Sequence, residues 1–107
     1  MKIAVREYLD ARGEAPFAHW LESLDGIAAA KVATALYRLE QGNFSRVEGV
    51  SGGIYECKIN FGPGYRIYFG KDGEALIILL GGGSKKRQNA DISAALSCWQ
   101  DYQRRKR

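Results

Sequence analysis

The sequence predicts an α+β fold in which an N-terminal helical hairpin and a C-terminal helix pack on a mainly antiparallel sheet. Three observations predict it. Between Ile54 and Leu80, three strand-like runs are joined by the short turns Gly62-Pro63-Gly64 and Lys71-Asp72-Gly73, which pair neighbouring arms closely. Ahead of them, two segments repeat apolar residues at helical spacing. A third such segment begins at about Ala90.

In chain order, Ile3 to Tyr8 alternates as a first strand, and Asp10 to Ala15 connects it to a helix. Pro16 suits the first helical position, and Phe17, Trp20, Leu21 and Leu24 form one apolar stripe that ends at Asp25-Gly26. From Ile27 to Gln41, Val32, Leu36 and Leu39 share a side, with Gly42-Asn43 as the stop. Phe44 to Val50 reads as a loop or short strand of open pairing, and Gly52-Gly53 permits a tight turn into the sheet. Leu76 to Leu80 is continuously apolar, so it is expected as the central, most buried strand. Gly81-Gly82-Gly83 is read as the exit from that strand and Ser84 to Asn89 as a polar loop. The last helix then buries Ile92, Ala95, Leu96 and Trp99.

Period-two counting sorts the hairpin into faces. Tyr55, Cys57, Ile59 and Phe61 fall on one side and Glu56, Lys58 and Asn60 on the other. Tyr65, Ile67 and Phe69 form the apolar side of the next arm, leaving Arg66 and Tyr68 opposite. Pairing the apolar sides collects Lys58, Arg66 and Tyr68 on one cationic, aromatic face, expected to be open with Arg66 toward solvent. Such a face is either simply solvated or meets a ligand.

The length of 107 residues predicts one domain spanning 1–107. With 46% hydrophobic and 26% charged residues, wholesale disorder is excluded. The net charge of +4 is concentrated at Lys85, Lys86 and Arg87 and at Arg104 to Arg107, which favours polyanionic partners. Cys57 and Cys98 show no CxxC spacing and no nearby histidine, so both are expected as buried, reduced thiols and no metal site is expected. The glycine triplet lacks the spacing of a Walker A or dinucleotide fingerprint. His19, the one histidine, is expected to be exposed on the first helix. No apolar run approaches the ~20 residues of a spanning helix, so no membrane association and a cytoplasmic location are expected.

Four segments together resemble the RelE/ParE superfamily of bacterial toxins, most closely its HigB-like branch. They are the FxxWLxxL pattern from Phe17 to Leu24, YRLEQGNF from Tyr37 to Phe44, GPGYRIYF from Gly62 to Phe69, and LLGGGSKKRQNADI from Leu79 to Ile92. The resemblance implies helices on a curved antiparallel sheet, and the toxin of a type II toxin–antitoxin system. It further implies a metal-independent, cofactor-free endoribonuclease that cleaves messenger RNA on the ribosome. A cognate antitoxin, expected to be a helix-turn-helix protein, would neutralise it, and the chain would form oligomers only with that antitoxin. In the GYR segment Arg66 falls on the family's phosphate-contacting arginine, and Lys58 lies near its basic strand residues. Where some relatives carry a C-terminal Tyr or His, this chain has Ala90-Asp91-Ile92, and Ser84 replaces an acidic residue frequent after the glycines.

Under that reading, a ribose 2′-OH attacks the adjacent phosphate. Arg66 would bind the phosphate in bidentate fashion, and Lys58, Lys85 or Lys86 would neutralise charge or move a proton. Glu56 is either the base or a partner for a nearby lysine. Tyr68 either stacks on a base or packs in the sheet, and Gln88 and Asn89 either read base edges or cap the helix. Arg87 joins Lys86 as an RNA contact, while Lys31 and Arg104 to Arg107 are candidates for ribosomal RNA. Two other classes stay open: a ParE-like inhibitor of DNA gyrase, and a non-catalytic module that binds RNA or antitoxin.

Overall fold

The computed structural model describes residues 2–106. Strands β1 (Ala4–Glu7), β2 (Val47–Gly49), β3 (Ile54–Ile59), β4 (Tyr65–Lys71) and β5 (Leu76–Ser84) form one sheet in the order β1-β5-β4-β3-β2. β1 runs parallel to β5, and the other three pairings are antiparallel. Helices α1 (Pro16–Glu22) and α2 (Gly26–Glu40) cover one face, and α3 (Gln88–Arg105) covers part of the other. A 3-10 turn, Lys85–Arg87, leads into α3.

Local chemistry accounts for the element boundaries. Pro16 opens α1, where its missing N–H has no helical partner to lose. Asp25 serves as the N-cap of α2 instead of only ending α1, because its Oδ1 accepts the Ala28 N–H at 2.8 Å. The segment of open pairing supplies β2, a three-residue edge strand against β3.

Alternation assigns the hairpin faces as expected. Cys57, Ile59, Ile67, Phe69, Ile77 and Leu79 pack with Phe17, Val32 and Leu39 under α1 and α2. Ile54, Tyr68, Ile78 and Leu80 pack with Ala95 and Trp99 under α3. The unbroken apolar run of β5 is thus buried on both faces. It is an interior strand, although β4 occupies the middle of the sheet.

The glycine triplet departs from expectation. Gly81, Gly82 and Gly83 continue β5 and pair with Tyr68, Ile67 and Arg66 across a bulge beside Leu80. Glycine is required there for space: a Cβ on Gly82 would enter the Trp20 ring, and one on Gly83 would enter the Asp91 carboxylate. The expected polar loop from Ser84 to Asn89 is correspondingly the strand's end, the 3-10 turn and the start of α3.

Candidate functional site

The strand register builds the site. Lys58 lies opposite Arg66, Glu56 opposite Tyr68, and Arg66 opposite Gly83 on the far side. Glu56 is buried, and its Oε1 lies 3.3 Å from Arg66 Nε. The same oxygen accepts a hydrogen bond from Gln88 Nε2 at 3.1 Å, from the first turn of α3. A carboxylate removed from water needs such partners, since an unpaired buried charge costs several kcal/mol. Glu56 therefore fixes where the Arg66 side chain lies. Only 12% of that side chain is exposed.

Around this pair the polar groups are incompletely satisfied. Among the described residues, Arg66 Nε, Tyr68 Oη and Asp91 Oδ2 are buried without a hydrogen-bond partner. Burial, with the charges of Glu56 and Asp91, pushes the Tyr68 hydroxyl up to about 12. Burial also raises the Asp91 carboxyl above its ordinary range, opposed by Arg87. Five polar residues, Glu56, Arg66, Tyr68, Gln88 and Asp91, thus cluster beneath the start of α3. Orphaned buried polar atoms are uncommon and gather at functional or strained places.

A cationic rim stands beside the cluster. Lys85, Lys86 and Arg87 are exposed around an open hollow of about 410 Å³. The Lys85 N–H donates to the Gly64 carbonyl at 2.8 Å, tying the rim to the β3–β4 turn. At the sheet edge Lys58 pairs with Glu48, and holds that carboxyl below its usual range.

No protein-family model matches the chain. It is 41% identical over 80 residues to a Haemophilus influenzae protein described as uncharacterized, over 74% of this chain and 81% of that protein. The chain belongs to that protein's family. Among solved structures, a double mutant of the E. coli toxin RelE in its free state superposes with a TM-score of 0.65 and 17% identity. The match covers 91% of this chain and 97% of that one. The fold is RelE-like.

Within this RelE-like fold, the expected site residues separate into two groups. Arg66, Glu56 and Gln88 come together, and Lys85, Lys86 and Arg87 line the exposed rim. The face expected to be open is not. Because α3 lies across it, Tyr68 is 0% exposed and presents no surface for a base to stack on, and Arg66 is turned inward. Gln88 points to Glu56 instead of outward, and Glu56 meets an arginine instead of a lysine. Lys58 remains 41% exposed, with its amine engaged by Glu48.

Asp91 was not singled out from sequence, although an acid one turn beyond Gln88 and facing a glycine strand was the available signal. His19 is exposed on α1 as expected. Cys57 is buried and Cys98 half-buried, both as free thiols. The tail is tied down: Arg104 and Arg105 pair with Asp101, each at 2.8 Å, and Lys106 pairs with Asp72 at 2.6 Å. Arg107 lies outside the described residues. Among the described residues no helix is long and apolar enough to cross a membrane.

Proposed function

We propose that this chain is the toxin of a type II toxin–antitoxin pair, a HigB-like, ribosome-dependent messenger RNA endoribonuclease neutralised by a cognate antitoxin. The observation that carries the reading is the Arg66–Glu56 pair beside the Lys85–Arg87 rim on a RelE-like sheet. With Nε turned to Glu56, the terminal nitrogens of Arg66 have no protein hydrogen bond among the described residues, and they suit a bidentate phosphate contact. In the reaction the 2′-oxygen attacks the neighbouring phosphorus while its proton passes to a base. The 5′-oxygen leaves and takes up a proton, giving a 2′,3′-cyclic phosphate and a 5′-hydroxyl. Arg66 and the rim lysines stabilise the charge that builds on the phosphorane. Lys58, opposite Arg66, adds a cation by exchanging Glu48 for phosphate.

The test is primer extension on ribosome-bound messenger RNA with purified protein. Discrete cuts in the ribosomal A site, dependent on the ribosome, are expected. An intact message together with gyrase-linked double-strand DNA breaks would replace this reading with gyrase poisoning. A Lys85→Ala, Lys86→Ala variant should cleave more slowly and lose less activity as salt rises, because fewer phosphate contacts release fewer counterions.

A further inference from the structure

The proposed cleavage needs a group that gives a proton to the departing 5′-oxygen. The Arg66 cluster holds two carboxyl groups in unlike settings. Glu56 is committed, since its Oε1 faces Arg66 Nε at 3.3 Å and accepts from Gln88 Nε2 at 3.1 Å. Asp91 lies in the first turn of α3, just beyond Gln88. Among the described residues its Oδ2 is enclosed without a hydrogen-bond partner, whereas Oδ1 is not enclosed.

The place of this carboxyl is built into the sheet. Oδ2 fills the space that a side chain on Gly83 would take, and Gly83 lies opposite Arg66 in the register of β4 and β5. A glycine here lets the Asp91 carboxyl settle onto the strand beside the arginine proposed to hold phosphate. Asp91 itself is half-buried, so the group is neither sealed in the core nor fully solvated.

A carboxylate beside a phosphate repels it, whereas a carboxylic acid donates a hydrogen bond to it. The surroundings favour the acid. Burial raises the Asp91 carboxyl above its ordinary range, opposed by Arg87 and by the N-terminal end of α3. Arg66, the other cation of the cluster, has Glu56 against it, and a bound phosphate adds negative charge that favours the acid further. Tyr68 cannot take the role, because it is 0% exposed and its hydroxyl keeps its proton to about 12. Resting on the endoribonuclease reading, we infer that Asp91 is the catalytic acid that protonates the 5′-oxygen leaving group at the phosphate held by Arg66. As the O2′–P bond forms and the P–O5′ bond breaks, the 2′ proton passes to water and the Asp91 proton to the 5′-oxygen. The carboxylate left behind regains a proton from water before the next turnover.

The test compares two ribosome-bound messages that differ in one atom, the scissile 5′-oxygen or a sulfur in its place, which leaves as a thiolate without needing a proton. Single-turnover cleavage of both is measured for the parent and for the near-isosteric Asp91→Asn. The variant should cut the oxygen message at least about a hundredfold more slowly, the scale for losing a general acid. It should cut the sulfur message within a few-fold of the parent rate. In the parent alone, cleavage of the oxygen message should lose rate as pH rises through the carboxyl's raised range, and cleavage of the sulfur message should not. That profile keeps the assignment testable should the variant fail to fold. A variant slowed equally on both messages, a variant unslowed on the oxygen message, or parental pH profiles of the same shape would each overturn the assignment and leave RNA cleavage standing. A parent that cuts neither message would overturn the cleavage reading and the assignment together.

Discussion

The two faces of the sheet are built to different rules. Toward α1 and α2, Ile67, Phe69, Ile77 and Leu79 meet Phe17, Val32 and Leu39 in a wholly apolar layer. Toward α3, Ile78, Leu80 and Trp99 share their layer with Glu56, Arg66, Tyr68 and Asp91, three of which leave a buried polar atom unpartnered. The first face needs only area and packing, at about 25 cal/mol for each Å² of apolar surface buried. The second carries groups whose desolvation opposes folding, so it is poorly explained as a device for stability. The contrast sets a packing layer on one side of β4 and the proposed site on the other.

Deleting apolar volume should separate the faces most sharply. Phe69 is completely buried and stacks on Tyr55 at 5.6 Å between ring centres. Phe69→Ala should therefore cost about 3–5 kcal/mol, read as a lowered urea midpoint. A loss below about 1 kcal/mol would mean that this layer is not the stabilising one.

A smaller effect is expected at Gly83, where a new methyl must displace the Asp91 carboxylate. Gly83→Ala should cost about 1–3 kcal/mol, and adding Asp91→Ala should recover much of it. Additive losses in that double-mutant cycle would show that the two residues do not share the space assigned to them.

The smallest change distinguishes polar burial from packing. Tyr68→Phe removes a hydroxyl that has no partner among the described residues, so its stability at neutral pH should be unchanged or raised by up to about 1 kcal/mol. Above the ordinary tyrosine value of 10.0, the unfolded hydroxyl ionises while the folded one holds its proton to about 12. Stability of the parent should thus fall as pH rises through that interval, and the Phe variant should fall less steeply. Denaturant titrations at pH 8, 10 and 11 would show it, and identical slopes would place the hydroxyl in water.

The strands and their faces were legible because the period of two is a local property: Cys57, Ile67 and Phe69 alternate with Glu56, Arg66 and Tyr68 whatever covers them. What covers them was not. Docking of α3 depends on Trp99 and Ala95, some thirty residues further on in the sequence, so the face bearing Glu56, Arg66 and Tyr68 was read as open, and of the two roles left for Tyr68 it is packing that the covered face agrees with. The partners that allow Glu56 to be buried are likewise distant in sequence, since Arg66 lies on the next strand and Gln88 in α3. The glycine triplet misled for a different reason. Glycine usually weakens a strand, but here the missing side chains are filled by Trp20 and Asp91. Within the site, Arg66 and the Lys85–Arg87 rim were visible as charges in a basic chain, while Asp91 became visible only through the space opposite it.

Replacing Arg66 tests the division between the faces most directly. Arg66→Ala would strand Glu56 in the interior, so the informative substitution is Arg66→Lys, which retains a cation beside that carboxylate but loses the planar fork. The measurement is the rate at which ribosome-bound messenger RNA is cut by parent and variant, with equal folding verified by thermal melts. The account predicts that Arg66→Lys slows cleavage at least about a hundredfold, the scale for losing one transition-state charge contact, while its melting temperature stays near that of the parent. A folded variant that cuts at the same positions and within a few-fold of the parent rate would contradict it.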